Sequence, residues 1–209
     1  DSDRPPSGYT FPDFAGDVIA FMNAKGLKKA TIVGHSMGSF IAQHVASMAP
    51  DRLEKLVLVG SAPAVRNEVV LQLQREVSML TDPVSPKFVR EFQTSVVSKP
   101  VPDEFMNRVI QESLKVPARV WRDAMAGMLA SNATVDLSKI TAPTLIIWGD
   151  RETVFPSRSD QEALRKAIPN ATLRVYRATG HCPNWEQPKQ FAKDLNDFIK
   201  TLRQSTRIN

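Results

Sequence analysis

The 209-residue sequence contains one cysteine, Cys182, so no intrachain disulfide is available to it. That fits a reducing compartment, and a cytoplasmic location is the expectation. No stretch approaches the roughly 18 apolar residues that spanning a bilayer requires, so no membrane partner is expected. The formal net charge is +5, but Lys and Arg are scattered and no run of five or more like charges appears. The basic stripe of a nucleic-acid-binding surface is therefore missing, and no nucleic-acid partner is expected. A glycine-rich phosphate loop in useful context is also absent. The histidines number three, His35, His44 and His181, too few and too scattered for a metal cluster. Neither metal nor cofactor is expected. Internal repeats and low-complexity segments are lacking. The opening residues Asp1–Pro6 are polar and proline-rich, unlike a signal peptide.

What is present is ordinary globular composition, with 42% apolar and 23% charged residues. The length suffices for one domain with a sizeable core. Residues 1–10 read as a loop. Thr10 reads as the N-cap of a helix carrying Phe14, Val18, Ile19, Phe21 and Met22 on its apolar face and ending near Gly26. A short buried strand, 30–33, precedes Gly34. A helix over 40–48 is stopped by Pro50, and a second buried strand lies within 53–59. Strand texture returns at 144–148 and 171–176. Helices are expected over 157–168, with Ser157 or Ser159 as cap, and over about 188–202. Between 66 and 138 the pattern is helical, broken by prolines, with no convincing strand. Strands alternating with helices argue for a mostly parallel sheet covered on both faces. In such sheets chemistry gathers at the carboxyl ends of the strands, and Ser36, Asp150, Glu152 and His181 all follow strands there.

Gly34-His35-Ser36-Met37-Gly38 stands between a strand and a helix, the setting of a nucleophile elbow. Small residues two positions either side of the serine let strand and helix approach. The Met37 N–H, at a helix N-terminus, can face a developing oxyanion. The competing reading is a glycine-rich packing turn. His181, in a loop after the last strand, can reach across the strand ends to take and return the serine's proton. The His35 side chain should diverge from that of Ser36, and His44 fits a packed or surface position. Asp150 and Glu152 both follow the 145–148 strand, and either can orient His181. Cys182 stands beside the expected base on one loop, which argues against it as the nucleophile.

Together these residues resemble the α/β-hydrolase superfamily, nearest to its cap-bearing esterase, haloperoxidase and carbon–carbon hydrolase group. The elbow, the Trp148-Gly149-Asp150-Arg151-Glu152 to Pro156 turn, and Gly180-His181 with Trp185-Glu186-Gln187-Pro188 carry the resemblance. It implies an α/β-hydrolase core over 1–65 and 139–209, with about four strands flanked by helices, and a helical cap over 66–138. It ranks Glu152 ahead of Asp150, because the acid stands three residues after the turn glycine. It implies that Trp121, Met125, Met128 and Leu129 line an apolar acyl pocket, with Phe155 and Trp185 beside it; plain core packing is the alternative for each.

The resemblance also implies about four strands and a His-Gly loop, source of a second oxyanion donor, ahead of the elbow strand. Asp1-Ser2-Asp3 resembles the tail of that segment. The expectation is an unpaired sheet edge, covered by a longer chain's N-terminal segment or by another copy in a homo-oligomer. The expected activity is hydrolysis of a small carboxylic ester, lactone or thioester through a Ser36 acyl-enzyme. A C–C bond hydrolase or cofactor-free perhydrolase is the enzymatic alternative. A non-catalytic binding protein or an inactive fragment is the other.

Overall fold

The computed structural model describes residues 2–131 and 135–201. Four strands form one sheet in the order β1-β2-β3-β4: β1 (Ala30–His35), β2 (Leu53–Val59), β3 (Thr144–Gly149) and β4 (Ala171–Tyr176). Every neighbouring pair is parallel. All six residues of β3 are buried, the signature of a strand covered on both faces. Period-two alternation divides the central strands between two cores. Leu56, Leu58 and Ile146 face a core shared with Ala42, Val45 and Leu164. Val57, Val59, Leu145 and Ile147 face the other, closed by Phe191, Leu195 and Phe198.

The first of these cores is covered by α1 (Phe11–Ala24), α2 (Met37–Met48) and α7 (Arg158–Ala167), the second by α9 (Pro188–Lys200). Thr10 caps α1 through a reciprocal box with Asp13, and Ser157 caps α7 by accepting from the Asp160 N–H. α1 buries Phe11, Ala15 and Met22, whereas Phe21, expected on the packed face, is 59% exposed. The reason is geometric: Phe21 lies about 100° around the helix from Met22. α2 begins at Met37, three residues before the expected start, because the helix springs directly from the turn at Ser36. α9 ends at Lys200; residue 202, the expected terminus, lies outside the described residues.

β1 pairs only with β2 among the described residues. Val33, in register with Val57, is 44% exposed, because α9 reaches over β2, β3 and β4 but not over β1.

Between β2 and β3 the chain forms α3 (Glu68–Ser78), α4 (Pro86–Ser95), α5 (Asp103–Leu114) and α6 (Ala118–Ala130). No strand occurs among the described residues of this stretch. The helices share a core of their own, centred on Val77, Val89, Met106 and Ile110. α6 also lies hard against the N-terminal loop: a Cβ on Gly127 would come within 2.1 Å of the Tyr9 carbonyl oxygen.

Candidate active site

The carboxyl ends of β1, β3 and β4 meet at one end of the sheet. β1 delivers Ser36 in the turn to α2, at φ 54° and ψ −124°. A non-glycine residue in such a region costs on the order of 1–3 kcal/mol and persists only where its surroundings enforce it. Here the Ser36 N–H donates to the Val59 carbonyl at 2.9 Å. The Ser36 carbonyl accepts from the Ser39 N–H at 2.8 Å and from the Ser39 hydroxyl at 2.7 Å. Ser39 is fully buried and is itself held by Ser61, which Gln43 grips with its amide. A Cβ on Gly34 would lie 2.2 Å from the Gly38 carbonyl oxygen, so only glycine fits at 34. The expected need for a small residue does not extend to 38, where a Cβ would meet nothing within 4 Å.

β4 leads to His181 and β3 to Glu152, and both side chains are buried. His181 Nδ1 and Glu152 Oε2 are 2.7 Å apart. The other carboxylate oxygen accepts from the backbone N–H groups of Val154 at 2.7 Å and Phe155 at 3.3 Å. Burial by itself would raise the Glu152 pKa. The hydrogen bond to His181, that ring's charge and the two N–H donors outweigh it, and the carboxyl sits below its ordinary value. Asp150 instead turns to the Thr179 N–H, at 3.4 Å. With Nδ1 engaged by Glu152, Nε2 is the His181 nitrogen open to another partner. Gly60, at φ 55°, leaves room for the imidazole, since a Cβ there would lie 2.8 Å from the ring.

The His35 Nε2 lies 2.8 Å from the His181 carbonyl oxygen, to which an N–H there donates. Burial first, then the neighbouring His181, lower its pKa from 6.5 to about 4. The imidazole is thus neutral across the ordinary range. His44 bonds the Phe40 carbonyl one helical turn back. Cys182 is buried, and burial together with the charges of Glu186 and Glu152 raises its thiol pKa. Such a thiol is a poor nucleophile.

A cavity of about 570 Å³ opens over Ser36 and Met37. Its walls are largely apolar: Phe40 from α2, Val70 and Leu73 from α3, Phe92 from α4, and Trp121, Met125 and Met128 from α6, with Val154 and Phe155 from the loop after β3. Trp121, Met125 and Phe155, expected beside an acyl pocket, line this cavity. Trp185 does not. It lies off this cavity, against the rings of His35 and Phe105, because the short helix α8 (Pro183–Glu186), unforeseen from the sequence, turns it away. Leu129 is packed inside, with Phe11 and Phe40. The sequence reading also missed the Ser39–Ser61–Gln43 cluster and the main-chain contacts of Glu186. The Glu186 position did stand out as part of a quoted motif, without a role.

Among the described residues no three His, Cys, Asp or Glu side chains gather as metal ligands would, and no helix is long and apolar enough to cross a membrane.

A parallel sheet that carries a strained serine, a buried carboxylate–imidazole pair and an apolar cavity at its carboxyl edge defines a hydrolase-type α/β protein. The family model for the alpha/beta hydrolase fold matches residues 1–188, and the chain belongs to that family. A putative non-heme chloroperoxidase of Synechocystis is 27% identical over 214 residues, covering 95% of this chain and 77% of that protein. A pimeloyl-[acyl-carrier protein] methyl ester esterase of Photobacterium profundum is 24% identical, covering 95% of this chain and 82% of its own length. Among solved structures, an esterase of Exiguobacterium antarcticum superposes with a TM-score of 0.82 at 23% identity, covering 96% of this chain and 77% of that one.

Proposed function

We propose that Ser36, His181 and Glu152 form a nucleophile–base–acid triad that hydrolyses a small carboxylic ester, lactone or thioester, with residues 66–138 serving as a cap over the site. The observation that carries this reading is the buried His181–Glu152 pair, 2.7 Å apart, in turns at the same end of the parallel sheet as the turn that holds Ser36 at positive φ. In the proposed course, Ser36 Oγ attacks the substrate carbonyl carbon and its proton passes to His181 Nε2. The carbonyl π electrons become an oxyanion that faces the Met37 N–H, which as the first residue of α2 lies outside the helix's own hydrogen-bond ladder. Glu152 stays ionised and stabilises the imidazolium. Collapse breaks the bond to the leaving oxygen or sulfur, which takes the proton from His181. A water then attacks the acyl-enzyme, giving its proton to His181. Collapse releases the carboxylic acid and returns that proton to Ser36.

The test is labelling by a fluorophosphonate together with turnover of p-nitrophenyl acetate. Label is expected on Ser36 alone, and Ser36→Ala should lower kcat by at least about 10⁴-fold. Glu152→Gln should lower kcat by about 10²- to 10⁴-fold, since an amide does not stabilise an imidazolium as a carboxylate does. Asp150→Asn should leave it within about threefold. A folded protein that resists the label, or an Asp150 variant as damaged as the Glu152 one, would sink the assignment.

The likeness to a non-heme chloroperoxidase favours one second reading. Hydrogen peroxide in place of water would release a peracid from the same Ser36 acyl-enzyme. Peracetic acid formed from acetate and peroxide, and lost in Ser36→Ala, is its signature.

A further inference from the structure

Glu186 ends α8, five residues after His181, and its carboxylate is engaged by main-chain N–H groups. Both oxygens accept from the Gly180 N–H, at 2.9 and 3.0 Å. Oε2 also accepts from the N–H groups of Ser98 at 2.9 Å and Lys99 at 2.7 Å. Those two amides belong to the segment that leaves α4, far away in the chain. The same segment meets the histidine loop a second time, where the His181 N–H donates to the Val96 carbonyl at 2.9 Å. The fit is close: a Cβ on Gly180 would come within 2.9 Å of both the Ser98 nitrogen and the Val96 oxygen. The Ser98 hydroxyl reaches the Arg151 carbonyl at 3.3 Å, so the loop carrying Glu152 joins the junction. An ordinary surface carboxylate pairs loosely with solvent and passing cations. This one is spent on the main chain of two segments, and one of them carries the imidazole.

We propose that Glu186 is a positioning residue: its carboxylate clamps segment 96–99 of the helical insert to the backbone that holds His181, so that docking of the insert and placement of the base are one event. The clamp is charge-assisted at each N–H, which makes it stronger than a neutral contact of the same geometry. Its consequence for turnover rests on the triad reading above; its consequence for the two backbone segments does not. A base displaced by about 1 Å costs on the order of 100-fold in rate.

The experiment compares the parent with Glu186→Ala, Glu186→Gln and Ser36→Ala in p-nitrophenyl acetate turnover and in peptide-resolved amide hydrogen exchange. Glu186→Ala is expected to lower kcat by about 10- to 100-fold with KM within about threefold. Peptides covering 96–99 and 180–182 should exchange faster together. Glu186→Gln keeps the volume and one acceptor oxygen, so it should fall between parent and alanine, and it carries the test if the alanine variant does not fold. Faster exchange confined to 96–99 with parent kcat would overturn the proposal, leaving a mere tether. Loss of kcat with both peptides unchanged would overturn it too. If Ser36→Ala retains turnover, it is the triad reading that fails, and the paired exchange alone decides the role of Glu186.

Discussion

His35 stands next to the strained serine, yet its ring serves the loop opposite, where it bonds the His181 carbonyl. That placement has a pH signature. The folded-state pKa is about 4, against 6.5 for a free imidazole. Below pH 6.5 the unfolded chain therefore binds a proton that the folded chain refuses, and stability falls as pH drops. The loss develops between about 6.5 and about 4, and amounts to about 3 kcal/mol at most. Glu152 has the same sign in a lower window. Its depressed pKa supplies stability that is complete above the ordinary value of 4.5 and is lost as pH falls through the folded value. Urea unfolding at steps from pH 7 to 4.5 separates the two, since Glu152 changes little there. His35→Gln, which retains a donor to the carbonyl, is expected to flatten most of that slope. A variant with the parent's slope would show that His35 is not the group responsible.

At the scale of elements, the sheet and the turns that carry Ser36, Glu152 and His181 were legible because their signals are local. A continuous apolar run such as 144–148 announces a strand buried on both faces, and glycine at 34 and 38 around a serine announces a strand-to-helix turn. Following strands of a parallel sheet was enough to put His181 and Glu152 at one end of it. Less legible was everything set by contacts between distant segments. Main-chain N–H groups at Ser98 and Lys99 carry no side-chain signature, so nothing in the residue types foretold their bond to Glu186. The packing of Trp185 against His35 and Phe105 was not legible, because nearness in sequence to His181 does not say which way α8 turns its ring. Gly127 is a case of the same kind, a glycine in a helix interior whose reason lies in the facing Tyr9 backbone. Gly127→Ala must push α6 off that loop. Overpacking of this sort costs typically about 1–3 kcal/mol. α6 carries Trp121, Met125 and Met128 of the cavity wall, so KM for p-nitrophenyl butyrate should rise along with the loss in urea midpoint. An unchanged midpoint would mean that the helix and loop part without cost.

For the molecule as a whole, the sheet ends carry the proposed reacting groups, and the helices between β2 and β3 supply part of the wall of the cavity over Ser36. The cavity over Ser36 holds about 570 Å³, within the range of small-molecule sites. Apolar side chains from α2, α3, α4 and α6 line much of it, with Asp3, Arg4, Glu112 and Lys115 also on the wall, so selectivity for the acyl part should come chiefly from burial of hydrocarbon. Each methylene that leaves water contributes roughly 0.8 kcal/mol, or about fourfold in kcat/KM. For p-nitrophenyl acetate, propionate, butyrate and hexanoate, kcat/KM is expected to climb by about that factor per carbon until the chain meets the far wall. Ala124, on the α6 face of the cavity, offers the means to move that limit. Ala124→Phe should cut activity on hexanoate much more than on acetate, because the two-carbon acyl group extends least toward α6. The change should appear in kcat/KM with the Ser36 labelling rate preserved, since the reacting groups ride on the sheet. A flat response to chain length, or an equal loss on every ester in Ala124→Phe, would place the acyl group elsewhere and detach the α3–α6 helices from substrate selection.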